Sequence, residues 1–375
     1  MKTVAMLLFS REDVDYRVWK EARSLSKRYD VTIVMGKRES QSSFEDKGNF
    51  IVYRIFDDAF PTSLYPHKRI AAIKTLYRFF KDKHFDLYHC HDAPTLPFGY
   101  RLAKRDNAKL IYDAHDVFFK PRTKRSLKYN IAHILARMGE RKYIRKADAV
   151  ITVGGLLAQE LKRVHRLERT PLSILNTREY TEVKKCDFIR EQFGLPDDSI
   201  ILFHQGGYSP SRGIERMVKI AHLVGKPFVL ALAGPAMFER FAGGNVFYLG
   251  FLEPEYELLE ATASADIGFF LPDTDDINIH FSLPNKFFDF ILAELPMVVS
   301  DAPEMKKFVE KYGFGAAVDP NDTDAVVSAV KRLAFDKDFY NLVKRNMHEK
   351  KHLFCWENEE KKLLELYERV LGCAE

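Results

Sequence analysis

Cysteine is scarce in this chain. Cys90, Cys186, Cys355 and Cys373 are scattered without paired spacing, which excludes a disulfide-built scaffold and a cysteine metal site and suits a reducing compartment. Long apolar runs are missing too: the N-terminal stretch Val4–Phe9 is too short for a signal-peptide core or a membrane span. It reads as a first buried strand in a cytoplasmic protein. Acid is under-represented in the first half, where residues 1–180 hold 36 Lys+Arg against 21 Asp+Glu, a net of +15, leaving a net of −10 on the remaining 195 residues.

That surplus concentrates between Lys120 and Lys146, where Lys120, Arg122, Lys124, Arg125, Lys128, Arg137, Arg141, Lys142, Arg145 and Lys146 meet one acid, Glu140. Nucleic acid and anionic membrane are the polyanions such a segment suits. The interleaved Phe118, Phe119, Leu127, Tyr129, Ile131, Ile134 and Leu135 favour an amphipathic helix lying on an anionic membrane surface, with no nucleic acid partner. A solvated basic helix has the same charge pattern.

What is present is α/β in character. The chain has 375 residues and 46% hydrophobic content, enough for two cores. Short apolar runs alternate with helical patterns, the signature of βαβ units and parallel sheets. Strands are expected at Thr3–Phe9, Val31–Met35, Phe50–Ile55, Leu87–His91, Leu110–Asp113, Val150–Val153 and Ser173–Leu175, and again at Ile200–Phe203, Phe228–Ala233, Val246–Leu249, Ile267–Phe270, Met297–Val299 and Ala316–Val318. The polar segment Asn176–Asp198 separates the halves as a hinge. This gives a first Rossmann-like domain over 1–176, a linker over 177–198, a second Rossmann-like domain over 199–350, and a C-terminal helix over 351–375 whose apolar stripe packs on both domains or on the second alone.

The segment Ser282–Ser300 carries the densest chemistry. Ser282, Leu283, Pro284 and Asn285 precede an apolar helix whose free N–H groups and positive dipole end favour a diphosphate. Asp289, about one turn inside, is placed to accept ribose hydroxyls. Pro296 ends the helix and a strand follows, so the site sits at the mouth of an α/β sheet.

Seven segments, in order, carry a family resemblance: DYRVWKEARSL (Asp15–Leu25), DLYHCHD (Asp86–Asp92), KLIYDAHD (Lys109–Asp116), ADAVITVG (Ala147–Gly154), GGYSPSRGIERMV (Gly206–Val218), LPNKFFDF (Leu283–Phe290) and the tail from Trp356 to Leu371. Together they resemble the retaining glycosyltransferases of family 4. The resemblance implies the GT-B fold, two Rossmann-like domains facing each other across a cleft, with the acceptor on the N-terminal domain and a nucleoside-diphosphate sugar on the C-terminal one. It implies that His115 holds the donor sugar and assists catalysis, with Asp116 orienting the ring or acceptor. His91 and Asp92, at a neighbouring strand end, and Asp15 and Arg17 then line the acceptor side. Gly206 and Gly207 let backbone approach phosphate, Arg212 clamps the diphosphate with a planar fork, and Lys286 supplies a second cation. These charges meet the negative charge of the leaving diphosphate, so no metal and no cofactor is expected.

The sequence departs from the family pattern at one telling place. Phe281 stands eight residues before Asp289, where the first glutamate of the family's E-x7-E motif belongs, leaving His280, Asp276 or Asn278 as substitutes. Tyr208 replaces a phosphate-binding arginine. Asp273-Thr274-Asp275 fits a D-x-D metal motif only as three residues. The expected activity is retaining, metal-independent sugar transfer to a hydroxyl of a lipid-linked glycan in cell-surface polysaccharide synthesis, at the cytoplasmic face of the membrane. The alternatives are a soluble acceptor, or a non-catalytic nucleotide-binding subunit of an assembly complex.

Overall fold

The computed structural model describes residues 1–10, 15–38, 40–57, 66–119, 127–253 and 256–372. They form two compact units, one of Met1–Ile174 with Glu359–Glu375 and one of Leu175–Asn358.

The first unit is built on eight strands: β1 (Thr3–Leu7), β2 (Asp30–Lys37), β3 (Phe44–Asp46), β4 (Ile51–Asp57), β5 (Leu87–His91), β6 (Lys109–Ala114), β7 (Ala149–Thr152) and β8 (Leu172–Ser173). Their order is β3-β4-β2-β1-β5-β6-β7-β8. All pairs are parallel except β3 on β4. Val4, Ala5, Met6 and Leu7 are fully buried, as expected for a strand covered on both faces by crossover helices. Chain order reverses between β1 and β5, and ligands of open α/β sheets bind outside the carboxyl ends at such a point. The short antiparallel edge β3 has no counterpart among the expected strands, because Phe44 and Asp46 are exposed and an edge of three residues leaves no apolar run.

The second unit has six parallel strands, β9 (Ile200–Gln205), β10 (Phe228–Ala233), β11 (Val246–Gly250), β12 (Ile267–Phe270), β13 (Met297–Ser300) and β14 (Gly315–Val318), in the order β11-β10-β9-β12-β13-β14. Its switch point lies between β9 and β12. Phe203, Phe269, Phe270, Phe287, Phe288 and Phe290 fill the core. Gly268 is required there, since a Cβ would lie 2.6 Å from the Phe290 ring. That close contact seats the helix Asn285–Leu292 against β12.

Two expectations need correction. Residues 177–198 are not a free hinge but part of the second unit: the helix Phe188–Phe193 buries Ile189 completely, and Arg190 donates to Asp266 at 2.7 Å and to the Ser199 carbonyl at 2.8 Å. Hydrophilic composition hid a segment held by charge-assisted bonds. The C-terminal helix Trp356–Leu371 does not belong to the second unit alone, because from Glu359 onward it is part of the first. There Leu363 and Tyr367 are fully buried. Among the described residues no helix is long and apolar enough to cross a membrane.

Candidate functional site

In the first unit, the carboxyl ends of β5 and β6 assemble a buried polar cluster. Pairing of His91 with Asp113 sets the two strands in register. The polypeptide then turns at Asp92, whose φ of 64° is rare for a non-glycine residue and marks strain of the kind found at functional sites. The turn places Asp92 Oδ1 to accept the backbone N–H groups of His115 and Asp116 at 3.0 and 3.1 Å. Nε2 of His115 lies 3.1 Å from Asp113 Oδ2 and 3.3 Å from His91 Nδ1. Arg17, on the helix Tyr16–Leu25, donates from Nε and Nη2 to the same Asp113 oxygen at 3.0 and 2.9 Å and from Nη1 to the Ile174 carbonyl at 2.9 Å. Glu21, one turn further along, lies 3.1 Å from Arg17 Nε.

Charge follows geometry. Burial disfavours ionised Asp113, but Arg17 and His115 overcome it and hold the carboxyl well below its usual range. Burial likewise opposes charge on His115, yet Asp113 and Asp92 push it up to about 10. Glu21 is raised to about 8 by burial, only partly relieved by Arg17. His89 is lowered to about 3 by burial, and His91 well below its ordinary value by burial and the neighbouring histidines. Neutral His89 is hydrogen-bonded through Nδ1 to Tyr367 Oη at 2.8 Å. Glu21, His89, His91 and Asp113 bring ligand-type atoms within 4.8 Å of one another, but the Arg17 guanidinium already supplies a cation between the carboxyl groups of Glu21 and Asp113.

The second unit carries a cluster of two cations at its switch point. Strand β9 ends at Gln205, and Gly206 continues with φ 120°, where an added Cβ would lie 3.1 Å from Lys286 Nζ and 3.4 Å from Arg212 Nη1. Glycine is needed for both conformation and space. A short 3-10 turn, Pro210–Arg212, ends at Gly213 with φ 71°, where a Cβ would sit 1.9 Å from the Leu271 carbonyl oxygen. This close approach fixes Arg212. Lys286, in the first turn of the helix Asn285–Leu292, is 5% exposed and lies 4.0 Å from the centroid of the Phe270 ring. Because His204 Nδ1 faces the Phe269 carbonyl at 3.0 Å, its Nε2 is the acceptor for Lys286 at 3.4 Å. Neither Lys286 nor Arg212 forms an ion pair with a described residue. Burial, then each other's charge, lowers Lys286 well below its ordinary value, and burial lowers Arg212. Two poorly compensated cations beside an uncapped helix start at Pro284 favour an anion with two charges.

The sequence-derived assignments divide against this geometry. Gly206, Arg212 and Lys286 come together; Gly207 is exposed and a Cβ there would touch nothing. Asp289 is buried, accepting from Arg178 Nε at 2.9 Å and Gln205 Nε2 at 2.5 Å. Asn285 accepts from Asn176, and the Ser282 hydroxyl donates to the Ile279 carbonyl. Leu283 is a core residue, and Phe281, in the place of the missing glutamate, is 7% exposed. Asp276 caps the helix Ile277–His280, and Asp273 accepts from Arg216 at 2.9 Å.

Arg17 and His91, expected at the acceptor side or cleft, are 3% and 1% exposed and belong to the buried cluster. Asp15 caps its helix through Val18 N. Asp113 reaches the His115 ring. Alternation along β6 was the available signal, since Asp113 and His115 point to one side of the strand. Tyr367, His204, Gln205 and Arg178 had no comparable signal, being brought in from distant segments. Lys120, Arg122, Lys124 and Arg125 lie outside the described residues, as does the side chain of Lys128.

Residues 14–177 match the model of Glycosyltransferase Family 4. The chain is 23% identical over 286 residues, 69% of its own length and 70% of the relative's, to the alpha-D-kanosaminyltransferase of Streptomyces kanamyceticus. Among solved structures it is similar to sucrose-phosphate synthase from Thermosynechococcus elongatus, with a TM-score of 0.78 at 16% identity and full coverage of both chains, 100% and 100%. It is also similar to the HepE protein of Anabaena in complex with UDP-glucose, with a TM-score of 0.74, 14% identity, and coverage of 99% of this chain and 100% of that one. The family match thus covers most of the first of two parallel-sheet units, and the fold of the chain is that of these glycosyltransferase structures, GT-B.

Proposed function

We propose that the protein transfers a sugar, with retention of anomeric configuration, from a nucleoside diphosphate to a hydroxyl of a lipid-linked glycan, without a metal, in cell-surface polysaccharide synthesis at the cytoplasmic face of the membrane. The observation that carries the donor assignment is the convergence of Lys286 and Arg212 on Gly206. Neither cation forms an ion pair with a described residue, and Lys286 lies in the first turn of the helix Asn285–Leu292, whose start has no side-chain cap. Breaking the anomeric bond leaves negative charge on the departing diphosphate, which fixed cations stabilise without reorganising. HepE was solved with UDP-glucose, which supports a nucleotide sugar as donor. Asp289 has both carboxylate oxygens engaged by Arg178 and Gln205 and retains lone pairs for a ribose hydroxyl. His115, partly exposed and braced from behind, contacts the transferred sugar.

The membrane assignment rests on the helix Leu127–Tyr143. Ile134 and Met138 are 53% and 62% exposed, one turn apart beside exposed Arg137, Arg141 and Lys142. Apolar and basic side chains sharing an exposed surface suit an anionic bilayer. The buried Phe281 favours, as a second reading, a subunit that binds nucleotide without transferring sugar.

Incubation with UDP-, GDP- and ADP-sugars separates the readings. Lys286→Ala and Arg212→Ala are each expected to weaken donor binding by about 1.5–3 kcal/mol. His115→Ala should spare nucleotide affinity and lower turnover by about 10²-fold. Unchanged affinity in both cation variants rejects the diphosphate site, and binding without any sugar transfer or hydrolysis favours the non-catalytic subunit.

A further inference from the structure

We propose that His115 is a clamped imidazolium: Asp113 holds Nε2–H from inside the first unit at 3.1 Å, the Asp92 carboxylate lies 3.9 Å from Nδ1, beyond hydrogen-bond distance, and the ring meets substrate as a fixed positive charge that donates from Nδ1–H, not as a proton acceptor. Its contact with substrate rests on the donor reading above, whereas its charge state stands on the geometry of the first unit.

The clamp is built from three directions. Asp113 comes from β6, and its Oδ2 is pinned by two guanidinium nitrogens of Arg17, so the oxygen facing His115 is fixed before any ligand arrives. Asp92 follows β5 and is locked by accepting the backbone N–H groups of His115 and Asp116. His91 lies behind the ring with Nδ1 at 3.3 Å, and the His89 ring centroid lies 4.2 Å from that of His91. Glu21 completes the surroundings from the helix that carries Arg17.

The charges around His115 favour its protonated state. Burial lowers His89 and His91 and raises Glu21. Arg17 is the cation, and the facing acids are Asp113 and Asp92, with Asp116 beside Asp92 and Asp15 beside Arg17. A protonated His115 offsets this surplus of acid, and buried charges persist only when paired. The imidazolium is favoured further by both neighbouring acids. A ring with both nitrogens protonated has no lone pair to receive a proton, so its chemistry is to donate a hydrogen bond and to stabilise negative charge. Asp113 and Arg17 are then positioning residues, acting through His115.

The test reads ring protonation directly. Full-length protein labelled with 15N-histidine is titrated by NMR, with His115→Gln assigning the signal. Wild-type His115 is expected to show two protonated ring nitrogens from about pH 6 to about pH 8, through the range in which an unperturbed histidine loses its charge. Asp113→Asn should lower the midpoint by at least about two pH units. Should that variant fail to fold, Asp92→Asn should move the midpoint in the same direction by less. A wild-type ring that is neutral at pH 7.5 overturns the proposal, as does a midpoint unmoved in a folded Asp113→Asn protein. The two readings fail separately: full turnover by folded His115→Ala removes His115 from sugar transfer, while a neutral ring with impaired His115→Ala turnover removes only the clamp.

Discussion

Tyr367 Oη lies 2.8 Å from His89 Nδ1, tying the penultimate turn of the C-terminal helix to the buried cluster behind His115. Burial, then the nearby Glu21 and Asp113 charges, raises the Tyr367 phenol well above its ordinary value, so the phenol keeps its proton in this bond. Tyr367→Phe keeps the ring in place and removes this one bond. A loss of about 1 kcal/mol in denaturant unfolding is expected. Unchanged stability would mean that the helix is held by its apolar stripe alone.

Glu21 makes a pH prediction with a definite sign. Its folded value is raised to about 8, so the folded state keeps a proton that the unfolded chain has released, and stability falls as pH rises from the ordinary glutamate range toward 8. Glu21→Gln cannot titrate. The stability of this variant relative to wild type should therefore increase with pH, by about 1 kcal/mol per pH unit at most, and level off above pH 8. Thermal unfolding of both proteins from pH 5 to 9 measures the gap, and a constant gap would show that Glu21 is ionised throughout.

Lys286 links donor binding to protonation. Burial and the Arg212 charge hold Lys286 well below the ordinary lysine range, and a bound diphosphate shifts it back up. Nucleotide binding near pH 8 should then take up protons. Calorimetry with UDP in buffers of different ionisation enthalpy reads the number directly, and buffer-independent heats would count against the lysine.

The exposed helix face predicts lipid dependence. Replacing Lys124, Arg125 and Lys128 with Glu, or Ile134 and Met138 with Ser, should reduce flotation with anionic vesicles and leave UDP binding intact. Each basic residue near the surface contributes about 1 kcal/mol, screened by salt. Flotation of both variants equal to wild type would make the soluble acceptor the better reading.

The parallel sheets were legible because strands buried on both faces leave continuous apolar runs, as Val4–Leu7 and Phe228–Ala233 do. The two cations were legible because Gly206, Arg212 and Lys286 lie in two short motifs, where glycine beside basic residues suits a close approach of backbone to phosphate. His115 was legible from its place after a buried strand.

Other features depended on distance in the chain. Residues 177–198 look like a polar linker until Ile189 and Arg190 meet their partners around Ser264 and Asp266. Arg17 reads as an acceptor-side or cleft residue, and only its meeting with Asp113, ninety-six positions away, shows it as a buried counter-ion. Local sequence thus determined the elements and the residue types at their ends, since hydrophobic period and backbone conformation act over a few residues. Which carboxylate holds His115, which groups are charged, and what braces them were decided by tertiary structure, because desolvation and Coulomb energy depend on neighbours that only folding brings within about 3–4 Å.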